Sequence, residues 1–151
     1  MKVSAKAEYA CLALIALAQR KAQERPVHVS EIAEANQIPH STLSQVMLKL
    51  KGAGMVRSAR GSEGGYWLAR PPEEIRLGQV LRLIDGPNGV SRELPGDSAR
   101  ILESVWRQIR EFESEMLART SIAALAGQMS DAVAAGQPIG PEPTAPPGSN
   151  R

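Results

Sequence analysis

The sequence is poor in cysteine, and Cys11 is the single example among its 151 residues. One thiol excludes an intramolecular disulfide framework. It also excludes any cysteine-rich zinc or iron–sulfur site built from this chain alone. A cysteine count this low is typical of proteins that work in a reducing compartment.

The sequence also lacks a long hydrophobic run. The longest apolar stretch, residues 9–18, is rich in alanine and is roughly half as long as a bilayer crossing requires. The N-terminal segment does not follow the order of a signal peptide, in which a basic end precedes an apolar run and a cleavage site. We therefore expect a soluble, cytoplasmic protein with no membrane partner.

The usual signs of catalysis are missing as well. The sequence offers no paired carboxylates, no nucleophile beside a base, no phosphate-binding glycine motif followed by a helix, and no metal-ligand set. The glycines of residues 61–65 are better explained by a hairpin turn. We therefore do not expect an enzyme.

Acidic residues are absent from one stretch of the chain. Residues 1–70 contain ten Lys and Arg against five Asp and Glu, whereas residues 71–151 contain eight against eleven. Residues 38–62 contain four cations and no acid, so this stretch can approach a polyanion without repulsion. A solvated surface also needs charge, so the local pattern must decide between these two interpretations.

The N-terminal half predicts a buried helix followed by a short one. Residues 5–21 are apolar on almost every side, which indicates a helix buried on most faces. Ser30 stands at an N-cap position before a short helix over residues 30–35. Asn36 then suits the left-handed conformation that ends a helix.

A third helix and a hairpin come next. Pro39 suits the first turn of a helix that has one apolar face and ends at Gly52. Residues 55–58 and 66–69 predict two short strands around a glycine-rich turn. This order of parts is typical of winged helix–turn–helix proteins. The residues that define the predicted wing are Gly61, Gly64, Gly65 and Tyr66.

The C-terminal half predicts a short amphipathic helix that ends near residue 85, and then a long helix over residues 98–119. In the long helix, apolar residues recur at spacings of three and four, as in a helix packed along one stripe against another helix. The members of this seam are Leu102, Val105, Ile109, Phe112 and Met116.

The fold class that follows is mainly α with a small β-hairpin wing, that is, a winged helix–turn–helix plus a long C-terminal dimerisation helix. We expect the DNA-binding domain to span residues 1–86 and the dimerisation region to span residues 87–127. Residues 128–151 are rich in Pro and Gly and are expected to form a disordered tail.

The third helix and the wing offer side chains suited to double-stranded DNA. Small polar groups in the first turns of such a helix enter the major groove, where a glutamine can pair with adenine through both ends of its amide. The alternative is an ordinary solvated surface helix. The candidate DNA-binding residues are Ser41, Thr42, Ser44, Gln45, Lys49, Arg57 and Arg60, with Lys51 as a further phosphate candidate.

Several strings together resemble the Rrf2 family of regulators. They include Ile-Ala-Glu at 32–34, Leu-Ser-Gln at 43–45 and the Arg-Gly-x-x-Gly-Gly-Tyr wing at 60–66. The resemblance implies a homodimer that is held by the long helix and binds a pseudo-palindromic operator near a promoter. It also places Ser41, Ser44, Gln45 and Arg60 where the family contacts DNA. The family's iron–sulfur regulator has a glutamate at the Ser44 position, so a different operator is implied here.

The sequence departs from the family in the loop before the long helix. Members with an iron–sulfur cluster have three cysteines there, but residues 86–100 contain none, and neither His28 nor His40 lies in that loop. Cluster ligation needs several thiolates or equivalent ligands. We therefore predict no iron–sulfur cluster, no metal and no other cofactor.

Sensing then needs another route, and three remain open: a small molecule at the dimer interface, a partner protein, or oxidation of Cys11. A buried, inert thiol is the simpler interpretation of Cys11. Trp67 and Trp106 are candidates to line a ligand pocket, although core or interface packing is the more common role of tryptophan at such places. We expect a repressor, and the alternative is a winged-helix module that docks on a metabolic enzyme or another protein.

Overall fold

The computed structural model describes residues 2–20, 25–87 and 95–136. In these residues the chain forms six helices and one two-stranded antiparallel sheet, which confirms the predicted fold class of a mainly helical protein with a hairpin wing. The elements, in order, are α1 (Ala5–Ala18), α2 (Val29–Asn36), α3 (His40–Gly52), β1 (Val56–Ala59), β2 (Gly65–Leu68), α4 (Leu77–Asp85), α5 (Asp97–Arg119) and α6 (Ile122–Ala135).

Helix α1 lies at the centre of the core and packs against α3, α4 and α6. Its fully buried alanines, Ala7, Ala10 and Ala13, have side chains short enough to let the neighbouring helices approach closely. Leu14 and Leu17 fill the remaining space of the core. In the described residues no helix is both long enough and apolar enough to cross a membrane.

Helix α2 begins and ends differently from the sequence prediction. Its N-cap is His28 rather than Ser30, because the Glu31 carboxylate accepts the His28 backbone N–H at 3.4 Å and replaces a serine cap. At the other end Gln37, with φ of 54°, takes the left-handed conformation predicted for Asn36. The Asn36 side chain instead donates to the Ile32 carbonyl at 2.9 Å, which keeps Asn36 within the helix.

The wing is the predicted hairpin with its strands shifted by one residue. Met55 is outside β1 because its N–H donates to the Leu50 carbonyl at the end of α3. In the sheet, Arg57 pairs with Trp67, and Tyr66 also bridges to Val27, so a third short segment extends the hairpin. The wing is thereby attached to the segment that leads into α2.

Gly65 is required where the wing meets this third segment. Its φ is 142°, and a Cβ at this position would lie 2.6 Å from the Val27 carbonyl oxygen. We expect Gly65→Ala to lower the free energy of unfolding by about 2–4 kcal/mol through backbone strain and overpacking. Urea denaturation at one fixed protein concentration measures this change.

Gly127→Ala is the matched control for this substitution, because a Cβ on Gly127 in α6 meets nothing within 4 Å. It should leave stability unchanged or raise it by about 0.5–1 kcal/mol. Equal midpoints for the two variants would show that the close approach at Gly65 is unimportant.

A hydrogen-bonded joint fixes the C-terminal end of α5 to the segment after the wing. Leu77 N–H donates to the Thr120 carbonyl at 2.9 Å, and Ile122 N–H donates to the Ile75 carbonyl at 2.9 Å. Ala123 N–H also donates to the Pro72 carbonyl at 3.1 Å. These hydrogen bonds therefore fix the position of the C-terminal end of α5 relative to the segment after the wing.

Helix α6 extends past residue 127, the predicted end of the dimerisation region. It packs on α1 and runs through Ile122–Ala135, so residues 128–135, which the sequence assigned to the tail, are helical. The Ser121 side chain caps this helix by accepting the Ala124 N–H at 3.1 Å. The rest of the predicted tail, residues 137–151, lies outside the described residues.

Candidate nucleic-acid interface

Helix α3 divides cleanly into a buried face and a solvent face. Its apolar side chains Leu43, Val46, Met47 and Leu50 are fully buried. Ser41, Gln45 and Lys49 recur every four residues on the other side, and all three are exposed. Core packing therefore fixes the rotation of α3 about its axis and directs these three side chains outward.

Two of the predicted contact residues are less available in this structure. Thr42 and Ser44 are only half-exposed. The Ser44 hydroxyl donates to the His40 carbonyl at 2.9 Å, one turn earlier in α3. A base or phosphate would have to compete with that bond, so Ser41 and Gln45 are the stronger candidates for direct contact.

Two exposed residues of α3 are missing from the sequence prediction. His40 occupies the first turn directly after Pro39, where winged-helix proteins approach DNA. Leu48 is 62% exposed although it is a large apolar residue. The position of His40 behind the helix-starting proline was a usable signal, whereas the exposure of Leu48 depends on the rotation of the helix.

The two predicted wing cations occupy different surroundings. Arg60 is exposed at the start of the turn, next to Gly61 with its φ of 100°. The guanidinium of Arg57 instead lies 4.9 Å from the ring centroid of Trp67. The cation–π contact holds the Arg57 guanidinium against Trp67, whereas no such contact holds Arg60 among the described residues.

The fold brings one acid close to the acid-free stretch. Lys49 lies near enough to Asp85, at the end of α4, to help lower the pKa of that carboxyl group. The main cause of the lowered pKa is Ser4, whose hydroxyl and backbone N–H both donate to the Asp85 carboxylate, the latter at 3.0 Å. The charge near Lys49 is therefore partly offset, and Arg60 has no such neighbour among its described contacts.

Helix α5 has no buried residue at all. Every member of the predicted seam is exposed, from Val105 at 46% to Phe112 at 69%, and Ile101 and Trp106 widen the apolar strip. An apolar strip of this size on a helix marks an interaction surface. The structure thus leaves the seam uncovered by any described residue of the same chain.

Potential metal ligands do not come together in the part of the chain that the structure describes. No group of three or more His, Cys, Asp and Glu side chains there could hold a metal ion. The loop predicted to lack a cluster lies partly outside it, at residues 88–94. Cys11 is part-buried in α1, far along the chain from that loop.

The Cys11 thiol is expected to be unreactive in the native protein. Burial, assisted by the nearby charges of Glu8 and Asp85, raises its pKa from 9.0 to about 11. Because the thiolate is the reactive form, alkylation by iodoacetamide at pH 8 should be roughly 100-fold slower in the folded chain than in guanidinium. Equal alkylation rates in the two states would contradict this prediction.

The same raised pKa has a consequence for stability. The folded-state pKa of Cys11 lies above the unfolded-state value, so the neutral thiol stabilises the fold at neutral pH. This contribution is lost as the pH rises from 9.0 towards about 11.

Comparison with known proteins assigns a family to this combination of parts. The Rrf2 family, described as an iron-dependent transcriptional regulator, matches residues 3–128. A protein of Mycobacterium tuberculosis, Rv1287, named as a candidate HTH-type transcriptional regulator, is 41% identical over 133 residues, which is 84% of this chain and 82% of the relative. The HTH-type transcriptional regulator CymR of Bacillus subtilis is 34% identical over 126 residues, or 83% of this chain and 90% of CymR.

Solved structures give the same result. The structure of CymR, the global cysteine regulator of B. subtilis, superimposes with a TM-score of 0.77 at 32% identity and covers 85% of this chain and 98% of that one. IscR of T. potens superimposes with a TM-score of 0.70 at 32% identity and covers 93% and 94% of the two chains. The resemblance drawn from the sequence motifs is thereby confirmed at the level of the family.

Proposed function

Because this chain belongs to the Rrf2 family of transcriptional regulators, we propose that it binds a pseudo-palindromic DNA operator as a homodimer and represses transcription in the cytoplasm. It acts by binding and performs no catalysis. The observation that supports this best is the pairing of two exposed surfaces: the polar face of α3 and the apolar seam of α5. No described residue of the chain covers either surface, and DNA and a second copy have the chemistry to bind them.

The proposed contact with DNA follows from the exposed residues of α3 and the wing. Ser41 and Gln45 would lie against base edges in the major groove, and Gln45 can bond both N6 and N7 of an adenine. Lys49 and Arg60 would neutralise phosphates on either side. Thr42, Ser44 and Arg57 would contact DNA only after their side chains move. Thr42 and Ser44 are half-exposed, Ser44 also donates to the His40 carbonyl, and Arg57 contacts Trp67.

The proposed dimer follows from the seam. Two α5 helices packed along Leu102, Val105, Ile109, Phe112 and Met116 would form a two-fold interface, and each copy would then present one α3 and one wing. A two-fold dimer matches an inverted repeat, with a half-site spacing set by the joint that holds α5. Repression needs only that such an operator overlaps a promoter.

The family description names iron, but the donors of this chain do not fit an iron–sulfur cluster. A cluster is held by several thiolates. This chain has one cysteine, which is part-buried in α1 and has a raised pKa. We therefore assign no step of the proposed function to iron.

Protein purified without oxygen is expected to be colourless and to contain less than about 0.1 iron per chain, because one thiolate cannot hold a cluster. Elemental analysis measures the iron content. An absorption spectrum from roughly 300 to 700 nm, where iron–sulfur clusters absorb, shows whether a cluster is present. Brown protein with stoichiometric iron and sulfide would overturn the assignment.

The proposed function is tested by incubating the purified full-length protein with fragmented genomic DNA at physiological salt and sequencing the retained fragments. We expect a shared inverted repeat upstream of a small number of genes. The matched control is the Gln45→Ala variant, which should retain fragments with a weaker or shifted consensus, since it removes a base contact and no charge. Retention without any common sequence would contradict an operator-specific regulator.

A further inference from the structure

A cavity of about 500 Å³ lies beside the wing. Its walls come from four parts of the chain: the end of α1, the segment before α2, the two strands of the wing, and the segment that follows β2. The volume is within the range of pockets that hold small organic molecules. The cavity is separate from the exposed face of α3 and from the α5 seam, since no residue of either helix lines it.

The cavity is strongly basic. Four arginines line it, and no acidic residue does so in the part of the chain that the structure describes. Glu31, just outside, pairs with two of them: its carboxylate lies 2.8 Å from Arg25 and 3.8 Å from Arg20. Arg57 and Arg70 have no carboxylate partner among the described residues, so the cavity retains excess positive charge.

Arg70 lines the cavity and has no ion-pair partner among the described residues. Its Nε–H has no hydrogen-bond acceptor there and is shielded from solvent, so an anion in the cavity would reach it only after the side chain turned. Buried donors are nearly always satisfied in folded proteins. Arginine is the side chain best suited to hold a carboxylate or phosphate group.

The remaining walls are flat and apolar. Trp67 presents its ring to the cavity and carries the Arg57 guanidinium on one face at 4.9 Å. Leu17, Val27 and Pro72 add apolar surface to the walls. A planar apolar body fits such walls, and a single acidic group fits the arginines.

We propose that this cavity binds a small planar organic anion, with its carboxylate or phosphate held by Arg70 and Arg57 and its apolar body against Trp67. The anion is the effector of the regulator, a role that rests on the proposed function above. The binding site itself does not depend on that role.

The position of the cavity explains how occupancy reaches the DNA-binding surfaces. One wall is the wing, and another is the segment whose Pro72 carbonyl accepts the Ala123 N–H at 3.1 Å in the joint that holds α5 and α6. A bound anion would contact both walls. It would therefore set the angle between the wing and α5. That angle determines whether the two halves of the dimer fit the two half-sites of an inverted repeat.

Trp67 provides a direct readout of binding. In a Trp106→Phe variant of the full chain, Trp67 is the one remaining tryptophan. Titration with benzoate or phenyl phosphate should change its fluorescence saturably, with half-saturation below about 10 mM. Neutral benzyl alcohol should have no such effect. Failure of both anions to give a saturable change would overturn the site.

Variants of the arginines test the geometry. Arg70→Gln should weaken the binding of the anions by about tenfold or more, because it removes the charge and the unsatisfied donor. Arg100→Gln, on the exposed side of α5, is the matched control and should leave binding unchanged. Equal binding by both variants would contradict the assignment to this cavity.

DNA is the other possible source of the anionic group, since a backbone phosphate has the same chemistry. The two sources are distinguished in the absence of the small anion. If Arg70→Gln lowers the DNA affinity and reduces its salt dependence, Arg70 contacts DNA, and the proposed site is wrong. Under the proposal, this variant binds genomic fragments as the unmodified protein does.

The effector role is tested by measuring DNA affinity with and without the anion. Benzoate or phenyl phosphate at saturation should change the affinity for a retained fragment by about fivefold or more, and Arg70→Gln should abolish that response. Anion binding with unaltered DNA affinity would overturn the effector role alone. Anion binding by a protein that retains no genomic DNA would instead refute the proposed regulator and leave the binding site supported.

Discussion

Replacing Ile109 with aspartate is expected to halve the mass of the protein in solution and to weaken operator binding by a factor on the order of 10²–10⁴. Ile109 lies at the middle of the α5 seam and is half-exposed in the single chain. A carboxylate there would have to be buried, unpaired, in the proposed helix–helix interface. A monomer would bind each half-site separately, so the gain in affinity that comes from linking the two half-site contacts would be lost. Light scattering and fluorescence anisotropy measure the two effects.

Arg107→Asp is the matched control, because residue 107 is exposed on the same helix about 200° around the axis from residue 109. It changes the charge of the protein more than Ile109→Asp does, yet it should leave both the mass and the operator affinity nearly unchanged. Circular dichroism checks that both variants are folded. An Ile109→Asp protein that remains a dimer would show that the seam of α5 is not the interface.

Neutralising Lys49 and Arg60 together is expected to remove most of the electrostatic attraction for DNA. A dimer of the Lys49→Gln/Arg60→Gln variant lacks four positive charges at its two proposed contact surfaces. The slope of log K against log salt should therefore become shallower by roughly 3–4. Both residues are exposed, so the substitution should not alter the core. Anisotropy titrations of a retained fragment at several salt concentrations give the slope.

The control for this experiment is Arg100→Gln/Arg119→Gln, which removes the same net charge from the two ends of α5. Both side chains are exposed and form ion pairs only with acids of the same helix among the described residues, namely Asp97 and Glu115. If the two double variants show the same salt slope, overall charge governs DNA binding, and the α3 and wing surfaces have no special role.

Features with a strong periodic or local signal were predictable from the sequence. The three-and-four spacing of the seam predicted a helix over residues 98–119, and the structure has α5 at Asp97–Arg119. The glycines around the turn predicted a hairpin, and Gly64 and Gly65 do lie where a Cβ would collide with backbone oxygen. In each case the constraint is local, so neighbouring residues contain the necessary information.

Features that depend on competing local interactions were predicted less well. Ser30 is a good N-cap by residue type, but Glu31 is held by Arg25 at 2.8 Å and caps the helix from inside its first turn. Likewise Asn36 favours the left-handed conformation, yet its side chain bonds the Ile32 carbonyl and leaves that conformation to Gln37. Residue preference alone does not decide between such alternatives.

Features that join distant parts of the chain had no signal in the sequence. The approach of Lys49 to Asp85, the bond between Ser4 and Asp85, and the arginine-lined cavity beside Trp67 each bring together residues from different elements. The sequence identified Trp67 as a candidate pocket residue but offered no way to find Arg70 as its neighbour. Such arrangements follow from the packing of α1 against the wing and α4.

The number of chains bound to one operator tests the proposed homodimer most directly. A retained genomic fragment, trimmed to its inverted repeat, is mixed with the full-length protein at physiological salt, and the mass of the complex is measured by native mass spectrometry. We predict two chains on each duplex and no stable complex when one half-site is scrambled. A single chain bound with undiminished affinity to either duplex would contradict a homodimer that reads both halves of its operator.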